Sequence, residues 1–390
     1  MSHSGTVIAI KGSYGVGNFG DDALMVAAHE ISKRTFDSEL HLFIGRNSDY
    51  VQNIIPGARI ISQESKKARN ADLIVFGGGT QFYSFPQTSR QGIGRLYSRI
   101  ARNIRTPAAL GKRVFRKMIG ASFPASESSV AAIGIGLGPF VENNAYVRKV
   151  RELFTRMEYI AVRDRCSYDL CKQWGLSNVS LRADLCYLPG LWKSDVFELS
   201  ADSAKEGIQK IGVIPRDWPH TAEGNSYTTP LFQVVHALKT AGKQVEFISF
   251  AGKSDSRWAG WLQDRNEKLE VWNPEKCTIT GFMELLSGYD AFITARYHGA
   301  VFASILRKPM VCIEVEQKLR LVSDLLGAGA RLWTYPFNTS ECLEHISALE
   351  DDYSSAEQCL ARVVGEQGVL VGKMIDEFRK VMNSKIDRLH

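Results

Sequence analysis

Extended apolar stretches are scarce in this 390-residue chain. None approaches the roughly 18 residues of a membrane-spanning helix, so no such span is expected. Met1-Ser2-His3 leads straight into an apolar strand, and no signal peptide is expected either. Paired cysteines are also missing: the seven present (Cys166, Cys171, Cys186, Cys277, Cys312, Cys342, Cys359) are odd in number and nowhere spaced CxxC. The simplest reading is reduced thiols in a cytosolic protein, with no zinc site. Internal repeats and low-complexity tracts are absent. One further absence is local: no acidic residue lies between Asp72 and Glu127.

That acid-free stretch carries Arg90, Arg95, Arg99, Arg102, Arg105, Lys112, Arg113, Arg116 and Lys117, with Ile93, Leu96, Tyr97, Ile100 and Ile104 at helix-like spacing. A cationic amphipathic segment over 90–117 would be drawn to an anionic membrane surface or a polyphosphate. A solvated insertion is the plainer alternative. Nucleic acid is not expected as a partner, because aromatics are sparse here and no binding motif accompanies the charge. The whole chain, with net charge +6, 44% hydrophobic and 23% charged residues, has the composition of a soluble globular protein long enough for two domains.

Strands and helices alternate. Val7 to Lys11, Leu40 to Ile44, Leu73 to Phe76, Val130 to Gly136 and Tyr159 to Val162 read as strands, with a helix from Ala23 to Lys33. A second series runs through Ile211 to Ile214, Val245 to Phe250, Ala291 to Thr294 and Met310 to Glu314, after a polar linker from Leu191 to Gln209. Such alternation implies parallel sheets covered by helices on both faces. The expected division is 1–205, 206–345 and a helical tail 346–390, whose stripe is Leu360, Val363, Val364, Leu370, Met374, Phe378 and Val381.

Chemistry concentrates at strand exits, where open α/β sheets bind ligands. The loop Gly12 to Asp22 holds Gly12, Gly15, Gly17 and Gly20 between a strand and a helix, which suits anion approach. It lacks the Lys-Ser/Thr of a P-loop, so ATP or GTP hydrolysis is disfavoured. Asp21 and Asp22 would repel phosphate; either can cap the helix or engage a sugar hydroxyl. Gly77-Gly78-Gly79-Thr80 after an apolar strand requires close backbone approach or positive φ and forms a second glycine-rich exit on the same rim. Arg163-Asp164-Arg165 closes another strand, where a surface ion pair is the bland alternative. Thr294-Ala295-Arg296-Tyr297-His298-Gly299 places a guanidinium fork for carboxylate or phosphate beside an imidazole able to move a proton. Trp258, Trp261 and Trp272 are read mainly as packing residues.

Taken together, Gly17-Asn18-Phe19-Gly20-Asp21-Asp22-Ala23, Phe76-Gly77-Gly78-Gly79, Val162-Arg163-Asp164-Arg165-Cys166-Ser167, Ala183-Asp184-Leu185, Ile211-Gly212-Val213 with Arg216, Arg296-Tyr297-His298-Gly299-Ala300, Lys308-Pro309 and Lys318 resemble the polysaccharide pyruvyl transferase family over about residues 7–330. The resemblance implies two Rossmann-like domains facing a cleft, GT-B-like, with a closing C-terminal amphipathic helix. It implies transfer of pyruvate from phosphoenolpyruvate to two hydroxyls of one sugar, giving a cyclic ketal in exopolysaccharide or cell-surface polysaccharide synthesis. It implies no metal and no cofactor beyond that donor. His298, Arg163 and Lys318 would be catalytic. Arg296, Arg216, Gly17, Asn18, Asp21, Asp22, Gly78 and Gly79 would bind substrate. Tyr297 stands where the family often carries a small or aliphatic residue. If the saccharide acceptor is lipid-linked, segment 90–117 would hold a cytoplasmic enzyme peripherally at the membrane face. The competing expectations are a GT-B glycosyltransferase using a nucleotide sugar, with Glu314 or Glu316 at its ribose, and a non-catalytic assembly protein.

Overall fold

The computed structural model describes residues 7–36, 41–44, 48–61, 71–84, 128–141, 145–192, 207–221 and 223–386. Segment 90–117 and the linker residues 193–206 lie outside them. Thirteen strands form two sheets among the described residues. The first orders β3(Arg59–Ile61), β2(His41–Ile44), β1(Ile8–Lys11), β4(Leu73–Phe82), β5(Ser129–Leu137), β6(Tyr159–Val162) and β7(Val179–Leu181). The second orders β10(Leu269–Val271), β9(Gln244–Ser249), β8(Lys210–Ile214), β11(Ala291–Thr294), β12(Met310–Ile313) and β13(Ala330–Trp333). Every pairing is parallel. Central strands such as Ala291–Thr294 and Met310–Ile313 are buried at every position, as sheets covered on both faces require.

The glycine triplet lies within a strand rather than at its exit. Strand β4 does not end at Phe76 but continues through Gly77–Gly79, pairing Gly77 with Ile133 and Gly79 with Ile135 on β5. The reason is close approach of the helix Phe19–Thr35. A Cβ on Gly77 would lie 2.6 Å from the Ala28 Cβ, and one on Gly78 would lie 2.6 Å from Leu24 Cδ2. Gly78 and Gly79 also hold φ of +68° and +76°, which other residues adopt at a cost.

One core cluster runs through both domains. Phe19 leaves the first domain and packs its ring 4.7–5.1 Å from those of Phe250, Trp272, Phe282 and Phe302, while its amide donates to the Phe250 carbonyl at 2.8 Å. The 34-residue helix Tyr353–Ile386 then returns from the second domain to the first. Tyr353 Oη donates to the Asp290 carbonyl at 3.1 Å, and at the far end Glu377 accepts from Tyr159 Oη at 2.9 Å and pairs with Arg182. Among the described residues, no helix is long and apolar enough to cross a membrane.

Candidate active site

Strand order reverses between β1 and β4 in the first sheet and between β8 and β11 in the second. Ligand crevices form at such points, because neighbouring loops diverge to opposite faces. The loop before Phe19 and the first turn of helix Phe19–Thr35 come from one side. Arg216, two residues beyond β8, and Arg296, two beyond β11, come from the other. Asn18 caps the helix, its Oδ1 accepting from the Gly20 amide at 3.1 Å. His298 lies in the first turn of helix Tyr297–Ile305 and stands against Gly20: a Cβ there would be 2.2 Å from His298 Nδ1. Glycine at position 20 is therefore what lets the domains bring this imidazole to the helix N-terminus.

Arg163 follows β6 and is buried. Its Nη1 donates to Asp184 Oδ2 at 2.6 Å and its Nη2 to Thr80 Oγ1 at 3.1 Å, while its guanidinium carbon sits 4.1 Å from the centre of the Tyr297 ring. Asp184 Oδ2 also lies 3.5 Å from His298 Nε2, a charge contact at the limit of hydrogen-bond reach. That nitrogen is buried with no hydrogen-bond partner among the described residues. Burial alone would raise the Asp184 carboxyl, but His298, Arg163 and the Cys186 amide hold it well below the usual carboxylate range. Asp184, Cys186 and His298 gather three donor atoms within 4.8 Å, yet a metal ion there would face Arg163 and a thiol that burial keeps protonated.

On the second-domain side, Glu316 accepts from Arg216 and lies 2.9 Å from Lys318 Nζ, so it bridges two cations. Burial would raise the Glu316 carboxyl, but Lys318 and Arg216 bring it below its ordinary value. Burial brings Lys318 down to about 8, with Arg216 and Arg163 adding to the shift and Glu316 opposing it. Arg296 is buried, pairs with Asp255 and donates from Nε to the Pro215 carbonyl at 3.3 Å. A cavity of about 450 Å³ opens beside these groups, with Asn18, Arg216 and Arg296 in its wall.

The two adjacent carboxylates part company. Asp21 accepts from Asn18 Nδ2 at 2.9 Å and lies in the field of His298, Lys318, Arg163 and Arg216; burial raises its carboxyl and those four cations oppose the rise. Asp22, grouped with it as a substrate carboxylate, is instead fully buried and accepts from Tyr50 Oη and, at 2.8 Å, from Trp272 Nε1. Gly17 holds φ of +80°, and Gly78 and Gly79 lie beneath Leu24. Asp184, Asp255 and Thr80 were not singled out as site residues. Asp184 left a trace in the Ala183-Asp184-Leu185 run and Thr80 in the Gly77-Gly78-Gly79-Thr80 run; Asp255 is recruited by tertiary contact.

No curated protein sequence matches this chain. Among solved structures it is similar to a UDP-N-acetylglucosamine 2-epimerase from Rickettsia bellii (13% identity, TM-score 0.57, covering 99% of this chain and 98% of that one). It is also similar to the wall teichoic acid polymerase TagF (11%, 0.54, 97% and 89%) and to S. aureus MnaA with UDP (10%, 0.51, 91% and 90%). At such identities the likeness is one of fold, the two-domain GT-B-like architecture. The family model for polysaccharide pyruvyl transferases matches residues 18–317, most of both domains, and the chain belongs to the polysaccharide pyruvyl transferase family.

Proposed function

We propose that the protein transfers pyruvate from phosphoenolpyruvate onto two hydroxyls of a sugar, forming a cyclic ketal and releasing phosphate. The observation that carries this reading is the meeting of His298 and Asp21, from opposite domains, in the field of Arg163, Arg216 and Lys318. A small, highly charged donor needs converging cations, and those side chains with Arg296 supply them. His298, as imidazolium, donates its proton to the methylene carbon, and the C=C electron pair forms the new C–H bond. Oxocarbenium character then develops at the central carbon. The first sugar hydroxyl attacks that carbon and passes its proton to Asp21, and the C–O bond to phosphate breaks with its electron pair leaving on phosphate. The second hydroxyl closes the ring and returns a proton to His298, while the proton on Asp21 leaves with phosphate. Asp184 holds Arg163 and faces His298, so it serves both.

Thermal unfolding with phosphoenolpyruvate, against a panel of nucleotide sugars, tests the reading without knowledge of the acceptor. At about 100 times its dissociation constant the donor stabilises the fold by about 2.7 kcal/mol. The expected pattern is stabilisation by phosphoenolpyruvate that disappears in Arg296→Ala and persists in His298→Ala. Stabilisation by a nucleotide sugar alone would move the assignment to glycosyl transfer.

A further inference from the structure

Glu316 stands at the N-cap of the helix Gln317–Leu326, a position that Ser, Thr, Asp or Asn usually fill to cap an amide. Its side chain caps none. The carboxylate, 10% exposed, turns to two cations and meets both with one oxygen: Oε1 accepts from Arg216 Nη1 and lies 2.9 Å from Lys318 Nζ. Arg216 is fixed independently of this contact. Its amide donates to Tyr227 Oη at 2.9 Å, that hydroxyl donates to the Arg216 carbonyl at 2.6 Å, and its guanidinium carbon lies 4.3 Å from the centre of the Trp218 ring. Lys318 has no such frame, and Glu316 is its one ion-pair partner among the described residues. An ammonium on a flexible four-carbon stem, beside one guanidinium and in the field of Arg163, would swing away from both without the shared oxygen. A site built for anion attraction alone would do better without this carboxylate, whose charge opposes the donor's. What it adds is placement. Glu314, two residues earlier, is taken up by Arg320 through both oxygens and offers no substitute.

We propose that Glu316 is a positioning residue: its shared oxygen holds the Lys318 ammonium against the fixed Arg216 guanidinium, setting the spacing of two cations that bind one anionic donor. Naming that donor phosphoenolpyruvate rests on the pyruvyl-transfer reading; the placement of Lys318 does not. The charged groups facing Lys318 are Glu316 at the start of its own helix, Arg216 beyond β8, Arg163 beyond β6 and Asp21 on the helix Phe19–Thr35. Burial, with Arg216 and Arg163, brings Lys318 down to about 8 while Glu316 opposes the shift. Removing this carboxylate therefore lets the ammonium lose its proton at lower pH.

Two readouts on the full chain test the proposal. The pH dependence of Lys318 acetylation by acetic anhydride, followed by peptide mass spectrometry, reports the ammonium and needs no donor. Calorimetric titration with phosphoenolpyruvate near pH 6 and near pH 8 reports the site. In Glu316→Gln the labelling midpoint should fall from about 8 by about one pH unit. Phosphoenolpyruvate affinity should drop about tenfold near pH 8 and by less near pH 6, where Lys318 keeps its charge. Glu316→Asp keeps the carboxylate and should return the midpoint to within about half a pH unit of the wild type, with most of the affinity. An unmoved midpoint in Glu316→Gln would overturn the proposal, as would donor binding in that variant as tight as in the wild type at both pH values. Equal behaviour of the two variants, or loss of the fold in both by circular dichroism, would make Glu316 a structural residue and overturn it too. A shifted midpoint in a chain that binds no phosphoenolpyruvate would sink the pyruvyl reading and leave the placement of Lys318 standing.

Discussion

Asp21 and Asp22 sit side by side in the first turn of one helix, and the step of about 100° per residue sends one to the cleft and the other to Tyr50 and Trp272. Burial raises the Asp22 carboxyl from 3.8 to about 7, against the hydrogen bonds from Tyr50 and Trp272. The folded protein therefore keeps a proton that the unfolded chain gives up near pH 4, so stability falls as pH rises from about 4 to 7. Asp22→Asn should stabilise the protein by about 2–4 kcal/mol at pH 8 and by little at pH 4, measured by denaturant unfolding at both. Lys318, brought down to about 8 by burial, loses its charge just above neutrality. Phosphoenolpyruvate affinity should accordingly decline as pH rises through 8, and Lys318→Arg should abolish that decline. Tyr297 holds the Arg163 guanidinium from the opposite domain. Tyr297→Phe keeps the ring and should leave the KM for phosphoenolpyruvate within about twofold, while Tyr297→Leu removes a desolvated cation–π contact and should raise it about tenfold or more.

At the scale of elements, the strands that escape sequence reading are β3, β7, β10 and β13, which are the outermost strand on each side of each sheet. An edge strand pairs on one side only and is short; β10, Leu269–Val271, has no fully buried residue, so it leaves no apolar run to read. Central strands are buried on both faces and announce themselves. The close backbone approach or positive φ expected of Gly77–Gly79 is present, with Leu24 and Ala28 as the groups approached, but it falls within a continuing strand rather than at a strand exit. Gly78→Ala should destabilise the fold by about 1–3 kcal/mol through positive φ and the Leu24 contact, lowering the denaturation midpoint. Gly20→Ala displaces His298 instead, and should cut kcat by 100-fold or more, roughly the contribution of a positioned general acid, with the fold retained by circular dichroism.

Across the whole molecule, the domains are joined by more than the chain between them. Phe19 plugs the second domain, Asp22 meets Trp272, Tyr187 Oη bonds Ser304 Oγ at 2.9 Å, and the helix Tyr353–Ile386 returns to Tyr159 and Phe36. These contacts hold Asp21 and His298 opposite one another. Phe19→Ala removes a ring from a five-membered aromatic cluster and should cost about 3–5 kcal/mol, with turnover falling as the cleft loosens; equilibrium unfolding and steady-state kinetics on the same preparation check both.

Two α/β domains, the helical tail and the candidate cations were legible in the linear chain, because apolar periodicity, strand-exit glycines and Arg-x-His turns are local patterns. The partners of those cations were not. Asp184, Glu316 and Asp255 reach Arg163, Arg216 and Arg296 from positions 21, 100 and 41 residues away in the chain. The assignment of Asp21 to the cleft and Asp22 to the core, and the seating of His298 on Gly20, likewise depend on how the domains pack. Local sequence sets which residues stand at a strand's end. Which carboxylate meets which cation is decided by tertiary packing within each domain, where burial makes an unpaired charge costly and each must find a partner.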